Sequence, residues 1–290
     1  ISGVAAAAAG HRHAVAVKTD GTVWEWGRKD HEAGYSSAPP VSTPELVDGL
    51  SQVIGVAEGY FHSYALKADG TVWSWGTDKY GYGVLGAVKP ASWQPPQQIA
   101  GLADIKSIQA TESAGIALSN SGGVWTWGYN SGGELGDGTA TFRVGPTQVP
   151  GLPAIGALSV KDSSVLALAD DGTVWSWGLH GGSRQTLPVK VPGISNITAI
   201  ATCPDSSLAL QSDGTLWFWS SPATSPGKVA GPASTRALWP RSRGQFAQTA
   251  DGSIWALGLN HNGNLGDGVG LDSSGAFIRV VNLAQDIVSI

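Results

Sequence analysis

The sequence predicts an all-β fold, a β-propeller built from four-stranded antiparallel blades. Three observations carry this expectation. A block of the form Asp-Gly-Thr-Val-Trp-x-Trp-Gly recurs six times along the 290 residues, opening Ser-Gly-Gly in the third copy and degenerate in the last two. Its first glycine falls at positions 21, 70, 122, 172, 214 and 252, and repeats of roughly 40–50 residues are those of propeller blades. Apolar residues around each block alternate with a period of two, and the 3.6-residue period of helices is absent, so almost no helix is expected.

Each copy supplies its strands in a fixed order. The first is a short apolar stretch at 4–9, 53–57, 105–109, 155–160, 197–201 and 235–239. The second precedes the turn, as in Ala14-Val15-Ala16-Val17 or Tyr64-Ala65-Leu66. Asp-Gly then marks a tight hairpin, because Gly adopts positive φ without a Cβ clash and Asp tolerates the left-handed region. The third strand is Val-Trp-x-Trp, whose two indoles sit at i and i+2 and therefore share one face. Eleven of the 13 Trp lie in these blocks. An indole on the same face of every blade, able to bury ~150–250 Å², reads as core between blades rather than as a stacking platform for sugars. A fourth, Pro-led strand follows a loop, as in Pro44-Glu45-Leu46-Val47 or Pro146-Thr147-Gln148-Val149. Proline donates no ladder hydrogen bond, so it belongs at an outer edge.

Composition agrees with this and excludes other classes. Gly at 41 residues is about twice the usual share and charged residues at 13% about half of it. A single Cys excludes an internal disulfide framework and a Cys-rich zinc site. The net charge of −5 carries no basic excess for nucleic acid, and the Arg-rich stretch 236–243 reads as a solvated loop. No apolar run approaches the ~20 residues of a membrane-spanning helix. A chain opening at Ile1, without Met and poor in Lys, fits a processed or excised secreted or cell-surface protein.

These blocks resemble the repeat of the regulator of chromosome condensation (RCC1) superfamily. The third copy carries the likeness most fully, in Val124-Trp125-Thr126-Trp127-Gly128-Tyr129-Asn130 followed by Gly133-Glu134-Leu135-Gly136-Asp137-Gly138-Thr139. The sixth repeats it from Leu257 to Gly268, the second keeps Gly76, Gly81, Leu85 and Gly86, and the fourth and fifth have lost that loop. The resemblance spans essentially the whole chain and implies one propeller domain over 1–290. The family usually closes seven blades; six full copies stand here, with 286–290 reading as the first strand of a further one. It also implies a non-enzymatic module that binds a protein through one propeller face. Members include exchange factors for a small GTPase and secreted inhibitors of bacterial β-lactamases, and of the latter's loop aromatics only Gly59-Tyr60-Phe61-His62 has a counterpart.

No motif for catalysis emerges. A nucleophile elbow, a phosphate-binding loop and a paired-His zinc helix are all absent from the sequence, and no cofactor or metal is expected. His13 and His62 share one repeat position and read as structural. His11 and His13 form a pair without a third ligand at a readable spacing. Cys203 reads as an inert core thiol.

What breaks the repeat is a ring of loops between first and second strands. Structural repeats with diverse side chains at one rim suggest recognition. The candidate partner-binding residues are Arg12, Tyr60, Phe61, Glu112, Asp162, Asp205, Arg241 and Arg243, with the aromatic and Arg residues as the better anchors. A second candidate is the long loop 79–94, in which Tyr80, Tyr82 and Trp93 would serve a glycan-binding, lectin-like surface; the matching loop of the first copy holds His31 and Tyr35.

Overall fold

The computed structural model describes residues 1–27, 41–90, 92–204, 206–220, 225–241, 244–258, 265–267 and 276–281. Its described residues form six four-stranded sheets and contain no helix. The chain divides into two compact units, Ile1–Ala154 and Ile155–Ile290. In the first unit the blades are β1 (Val4–Ala9), β2 (His13–Lys18), β3 (Val23–Gly27) and β4 (Val41–Leu46); β5 (Val53–Glu58), β6 (His62–Lys67), β7 (Val72–Gly76) and β8 (Gln94–Gln98); and β9 (Ile105–Ala110), β10 (Ala114–Ser119), β11 (Val124–Gly128) and β12 (Arg143–Gln148). The second unit has β13 (Ile155–Lys161), β14 (Ser164–Ala169), β15 (Val174–His180) and β16 (Ser183–Lys190); β17 (Ile197–Cys203), β18 (Ser206–Gln211), β19 (Leu216–Trp219) and β20 (Gly227–Val229); and β21 (Thr235–Arg241), β22 (Gly244–Thr249), β23 (Ile254–Gly258) and β24 (Ile278–Arg279).

Strands follow one another in sequence order within every sheet, all antiparallel. The six-blade expectation is met, and each predicted first strand is present, several of them one or two residues longer than expected. The segment 286–290 lies outside the described residues. All six blades share one irregularity, a bulge near the start of the first strand, as between Val53 and Gly55. A bulge adds local twist to a strand pair, so a shared one gives each blade the same twist.

The Asp-Gly turns are built as the sequence implies. Asp69 Oδ1 accepts the Thr71 amide at 3.0 Å and the Thr71 hydroxyl at 2.6 Å, and Gly70 sits at φ 78°. The turn also tethers the next blade, since the Gly70 carbonyl accepts the Ile105 amide at 3.1 Å. A Cβ at Gly21 would stand 2.9 Å from the backbone of Gln52, so the turn glycine serves blade docking as well as φ.

In three of the blocks both indoles face the preceding blade, but to different depths. Trp75 and Trp73 pack on Val15, Val17, Val47 and Leu50 of the first blade. Trp127 and Trp125 pack on Tyr64, Leu66, Val72 and Ile99 of the second. Trp219 and Trp217 do the same on Leu166, Val174 and Ile194 of the fourth. The second indole is fully buried at Trp75, Trp127 and Trp177, and partly buried at Trp26. The first is half-buried; that of the second blade, Trp73, donates its Nε1 to the turn hydroxyl of Thr71 at 3.3 Å and carries Lys67 Nζ over its face at 5.2 Å.

Candidate functional site

The first-to-second strand loops of the first unit are three residues long: Gly10-His11-Arg12, Gly59-Tyr60-Phe61 and Thr111-Glu112-Ser113. They lie against one another. A Cβ on Gly10 would fall 2.3 Å from the Gly59 carbonyl oxygen, and the Tyr60 amide donates to the Glu112 carbonyl at 2.8 Å. Only glycine permits the first approach, because backbone on both sides leaves no side chain to move.

That contact places aromatic and cationic side chains in a continuous run. His11 stacks on Tyr60 with centroids 4.6 Å apart, and Tyr60 meets Phe61 edge-on at 4.3 Å. Phe61 faces Tyr80 at 6.5 Å, Tyr80 stacks on Tyr82 at 5.5 Å, and Tyr82 meets Tyr129 at 4.6 Å and Phe142 at 5.9 Å. Two cations lie over these rings. Arg12 Cζ stands 5.4 Å from the Tyr60 centroid and 5.3 Å from that of Phe61. Lys79 Nζ stands 5.2 Å from Phe61 and 5.4 Å from Tyr80. Each aromatic pair contributes ~0.5–1.5 kcal/mol beyond its buried area and each cation over a ring ~0.5–1 kcal/mol, enough to fix side chains at a surface. Tyr80 is 59% and Phe142 50% exposed, whereas Tyr60, Phe61 and Tyr82 are partly covered.

The loop that brings Lys79, Tyr80 and Tyr82 to this run is held from beneath by Asp78. Its carboxylate accepts the amides of Tyr82 at 3.0 Å and Gly83 at 2.8 Å. Burial pushes the Asp78 carboxyl above its ordinary range, against the pull of those amides. Further along, the Val84 carbonyl accepts both Tyr64 Oη and, at 3.0 Å, Trp127 Nε1. Gly83 leaves no room for a Cβ, which would meet Val144 Cα at 2.2 Å.

Under the first two loops lies a buried polar group. His13 Nε2 pairs with Glu58 Oε2, whose side chain is 1% exposed, and Ser63 Oγ lies 3.0 Å from both. Burial pushes the Glu58 carboxyl up to about 7, with His13 opposing and Glu25 reinforcing the shift. His62, 2% exposed, meets Tyr64 edge-on at 5.0 Å, and burial, aided by the charge of His13, pushes it down to about 3. The structural reading of His13 and His62 stands; both fasten the strands that carry the loops.

Arg12, Tyr60, Phe61, Tyr80 and Tyr82, which the sequence divides between two competing sites, are thus one surface. Glu112 adjoins it with an exposed side chain. Trp93 stands at the far end of the same long loop, 37% exposed. Asp162 belongs to the second unit, on the two-residue turn between β13 and β14, with φ 50° and Lys161 Nζ at 3.9 Å. There the pairings Cys203 to Ser206 and Arg241 to Gly244 leave two residues between strands. Asp205, Arg243, His31 and Tyr35 lie outside the described residues, as does the side chain of Arg241. Sequence reasoning placed His11 and Lys79 in the two candidate loops without giving them a binding role, and missed Tyr129 and Phe142. A signal existed for Lys79 and Tyr129: extending the hairpin register past His62 with Gly76 sets Phe61 beside Thr77, and past Ala114 with Gly128 sets Ser113 beside Tyr129. The bonds Thr77 amide to Phe61 carbonyl and Tyr129 amide to Ser113 carbonyl, both 2.8 Å, complete that register.

Among the described residues no group of three or more His, Cys, Asp or Glu side chains gathers as metal ligands. Cys203 is buried at the end of β17.

Comparison with known proteins adds to this geometry. The family model for the regulator of chromosome condensation (RCC1) repeat matches residues 53–81, and a second model of the same description matches 121–164. A search of curated protein sequences found no match. Among solved structures, human WBSCR16 superposes with a TM-score of 0.80 at 19% identity, over 98% of this chain and 84% of that one. Prp20p from Saccharomyces cerevisiae, described with its binding properties to Gsp1p and histones, gives a TM-score of 0.77 at 22% identity over 96% and 76%. Yeast RCC1 (Prp20) in complex with Kap60 gives 0.76 at 20%, over 96% and 74%. At these identities the likeness is one of fold.

Proposed function

For a chain that is an RCC1-like repeat propeller, we propose the role of a non-enzymatic interaction module that recognises a protein partner through the loops of its first three blades. The observation that carries this reading is the run of rings from His11 to Phe142 with Arg12 and Lys79 lying over it. Tyr and Arg are enriched among the residues that carry most of the binding energy at protein interfaces, and a Tyr ring supplies a large contact area with few rotatable bonds. The run is pre-ordered by its own stacking and by Asp78, which reduces what a partner must immobilise. Related folds whose descriptions name protein partners, Gsp1p, histones and Kap60, are consistent with a binding role.

Selection of a random peptide or small-domain display library on the immobilised chain tests this. A Tyr60→Ala/Phe61→Ala double variant serves for counter-selection. Clones that bind the native chain and lose at least tenfold on the double variant support the reading. Clones indifferent to the double variant remove this face. Hits on a glycan array, lost with Tyr80→Ala, would instead support the lectin-like reading.

A further inference from the structure

The residue that leads into the first strand of a blade takes a positive φ at Gln52 (56°), Asp104 (57°), Asn196 (53°) and Ser234 (60°). Asn enters the left-handed region at low cost, so the turn by itself accounts for Asn196. What sets this copy apart is Thr198. The other three copies carry Ile54, Lys106 and Arg236 at that place, two residues on. Of the seven Asn in the chain, Asn196 alone opens an Asn-x-Ser/Thr triplet, with Ile197 in the middle. A triplet of this form, without Pro at its centre, is the acceptor pattern for N-linked glycosylation, and a usable one belongs on a surface turn.

Asn196 and Thr198 are both exposed, while Ile197 between them is buried. Backbone groups hold the turn. The Asn196 carbonyl accepts the Ser212 amide at 2.9 Å, and the Ile197 amide donates to the Gly172 carbonyl at 3.0 Å. The side chain takes no part in this: the Asn196 carboxamide makes no hydrogen bond among the described residues. Asp104 at the same place differs, since its Oδ1 accepts Asn120 Nδ2 at 2.7 Å. A bulky group on Asn196 Nδ2 therefore displaces no hydrogen bond and points to water. Thr198 Oγ1 donates to the Leu210 carbonyl at 3.2 Å. Folding thus occupies the hydroxyl that completes the triplet, and transfer belongs to the chain before β17 and β18 pair.

We propose that Asn196 is a modification site, the acceptor of one N-linked oligosaccharide when the chain passes through a secretory pathway. The donor class is an oligosaccharide on a polyprenyl pyrophosphate. Asn196 Nδ2 bonds to the anomeric carbon of the sugar, the bond from that carbon to the pyrophosphate oxygen breaks, and the lipid pyrophosphate leaves. The amide gives up one proton to a base of the transferase. β17 runs from this turn to Cys203 at the other end of its blade, so the sugar stands away from the β17–β18 turn and leaves that rim uncovered. The inference is independent of the aromatic face.

Expression of the full chain behind a secretion signal in cultured mammalian cells tests this. Intact mass is read before and after peptide N-glycosidase F in heavy-oxygen water, which marks the released Asn as labelled Asp. Secreted and cell-retained fractions are both read, so poor export does not hide the answer. Expected is one glycan per chain, at Asn196. Asn196→Gln and Thr198→Ala should each abolish it, and Thr198→Ser should keep it. Gln suits the folded turn, because Gln52 holds the same conformation at φ 56°, so loss of the glycan in Asn196→Gln is not a folding defect. Melting temperatures of the glycosylated and enzymatically freed chains should coincide. An unmodified native chain in both fractions, a glycan that persists in Asn196→Gln, or a melt lowered by the sugar overturns the inference.

Discussion

Replacing each indole of the third-blade pair by alanine separates core from cover. Trp127 is fully buried. It packs on Tyr64 edge-on at 5.4 Å, joins Leu66, Val72 and Ile99, and donates to the Val84 carbonyl at 3.0 Å. Removing a fully buried Trp side chain costs about 3–5 kcal/mol in transfer and cavity terms. The lost hydrogen bond adds little, because Val84 keeps Tyr64 Oη as a donor and is not orphaned. Trp125, two residues away on the same face, is half-buried, so its truncation should cost about 1–2 kcal/mol on the same scale of area removed from water. Trp127→Phe keeps the ring, losing one donor and leaving a void of roughly 40 Å³, together about 2 kcal/mol. Urea unfolding followed by circular dichroism measures the order, which should run Trp127→Ala, then Trp127→Phe, then Trp125→Ala, at an unchanged slope. A Trp125→Ala loss equal to or above that of Trp127→Ala would refute the argument that the second indole of this pair is core and the first is cover.

Four other perturbations test the ground beneath the binding face. Gly10→Ala drives a Cβ against the Gly59 carbonyl and should cost about 1–3 kcal/mol while weakening any ligand of Tyr60 and Phe61; a thermal melt identical to the native one would sink it. Glu58→Gln removes a buried acid whose carboxyl sits at about 7 instead of 4.5. A raised folded value means that stability from this group is full below pH 4.5 and is lost as pH rises through 7. The melting temperature of the variant relative to native should therefore climb from pH 5 to pH 8, and a flat difference contradicts it. His62 acts in the opposite direction, its stabilisation being full above pH 6.5 and lost as pH falls toward 3, so His62→Phe should flatten the acid side of the native profile. Asp78→Ala strips the acceptor from the Tyr82 and Gly83 amides and should expose the loop at 79–83 to limited proteolysis, with blade stability otherwise close to native; resistance equal to the native chain would rule out Asp78 as its clasp.

The sequence by itself determined the blades. Period-two alternation, a Gly that must take positive φ at each Asp-Gly turn, and indoles two residues apart are local constraints, and local constraints repeat visibly. It also determined that Trp belongs to packing: the pairs at 73 and 75, 125 and 127, and 217 and 219 all face the preceding blade. The depth of each indole was not legible, because burial depends on what the neighbouring blade presents. The binding face was half legible. Tyr60 and Phe61 broke the repeat in one loop and Tyr80 and Tyr82 stood in another, and nothing along the chain joined them. Only the tertiary structure made them one surface, through the hairpin register that carries Thr77 to Phe61, the close approach of Gly10 to Gly59, and the buried carboxylate of Asp78 that turns the long loop back over the blade. Sequence order fixes which strand pairs with which; the contacts between loops of different blades depend on packing distances of a few ångströms, which no periodicity encodes.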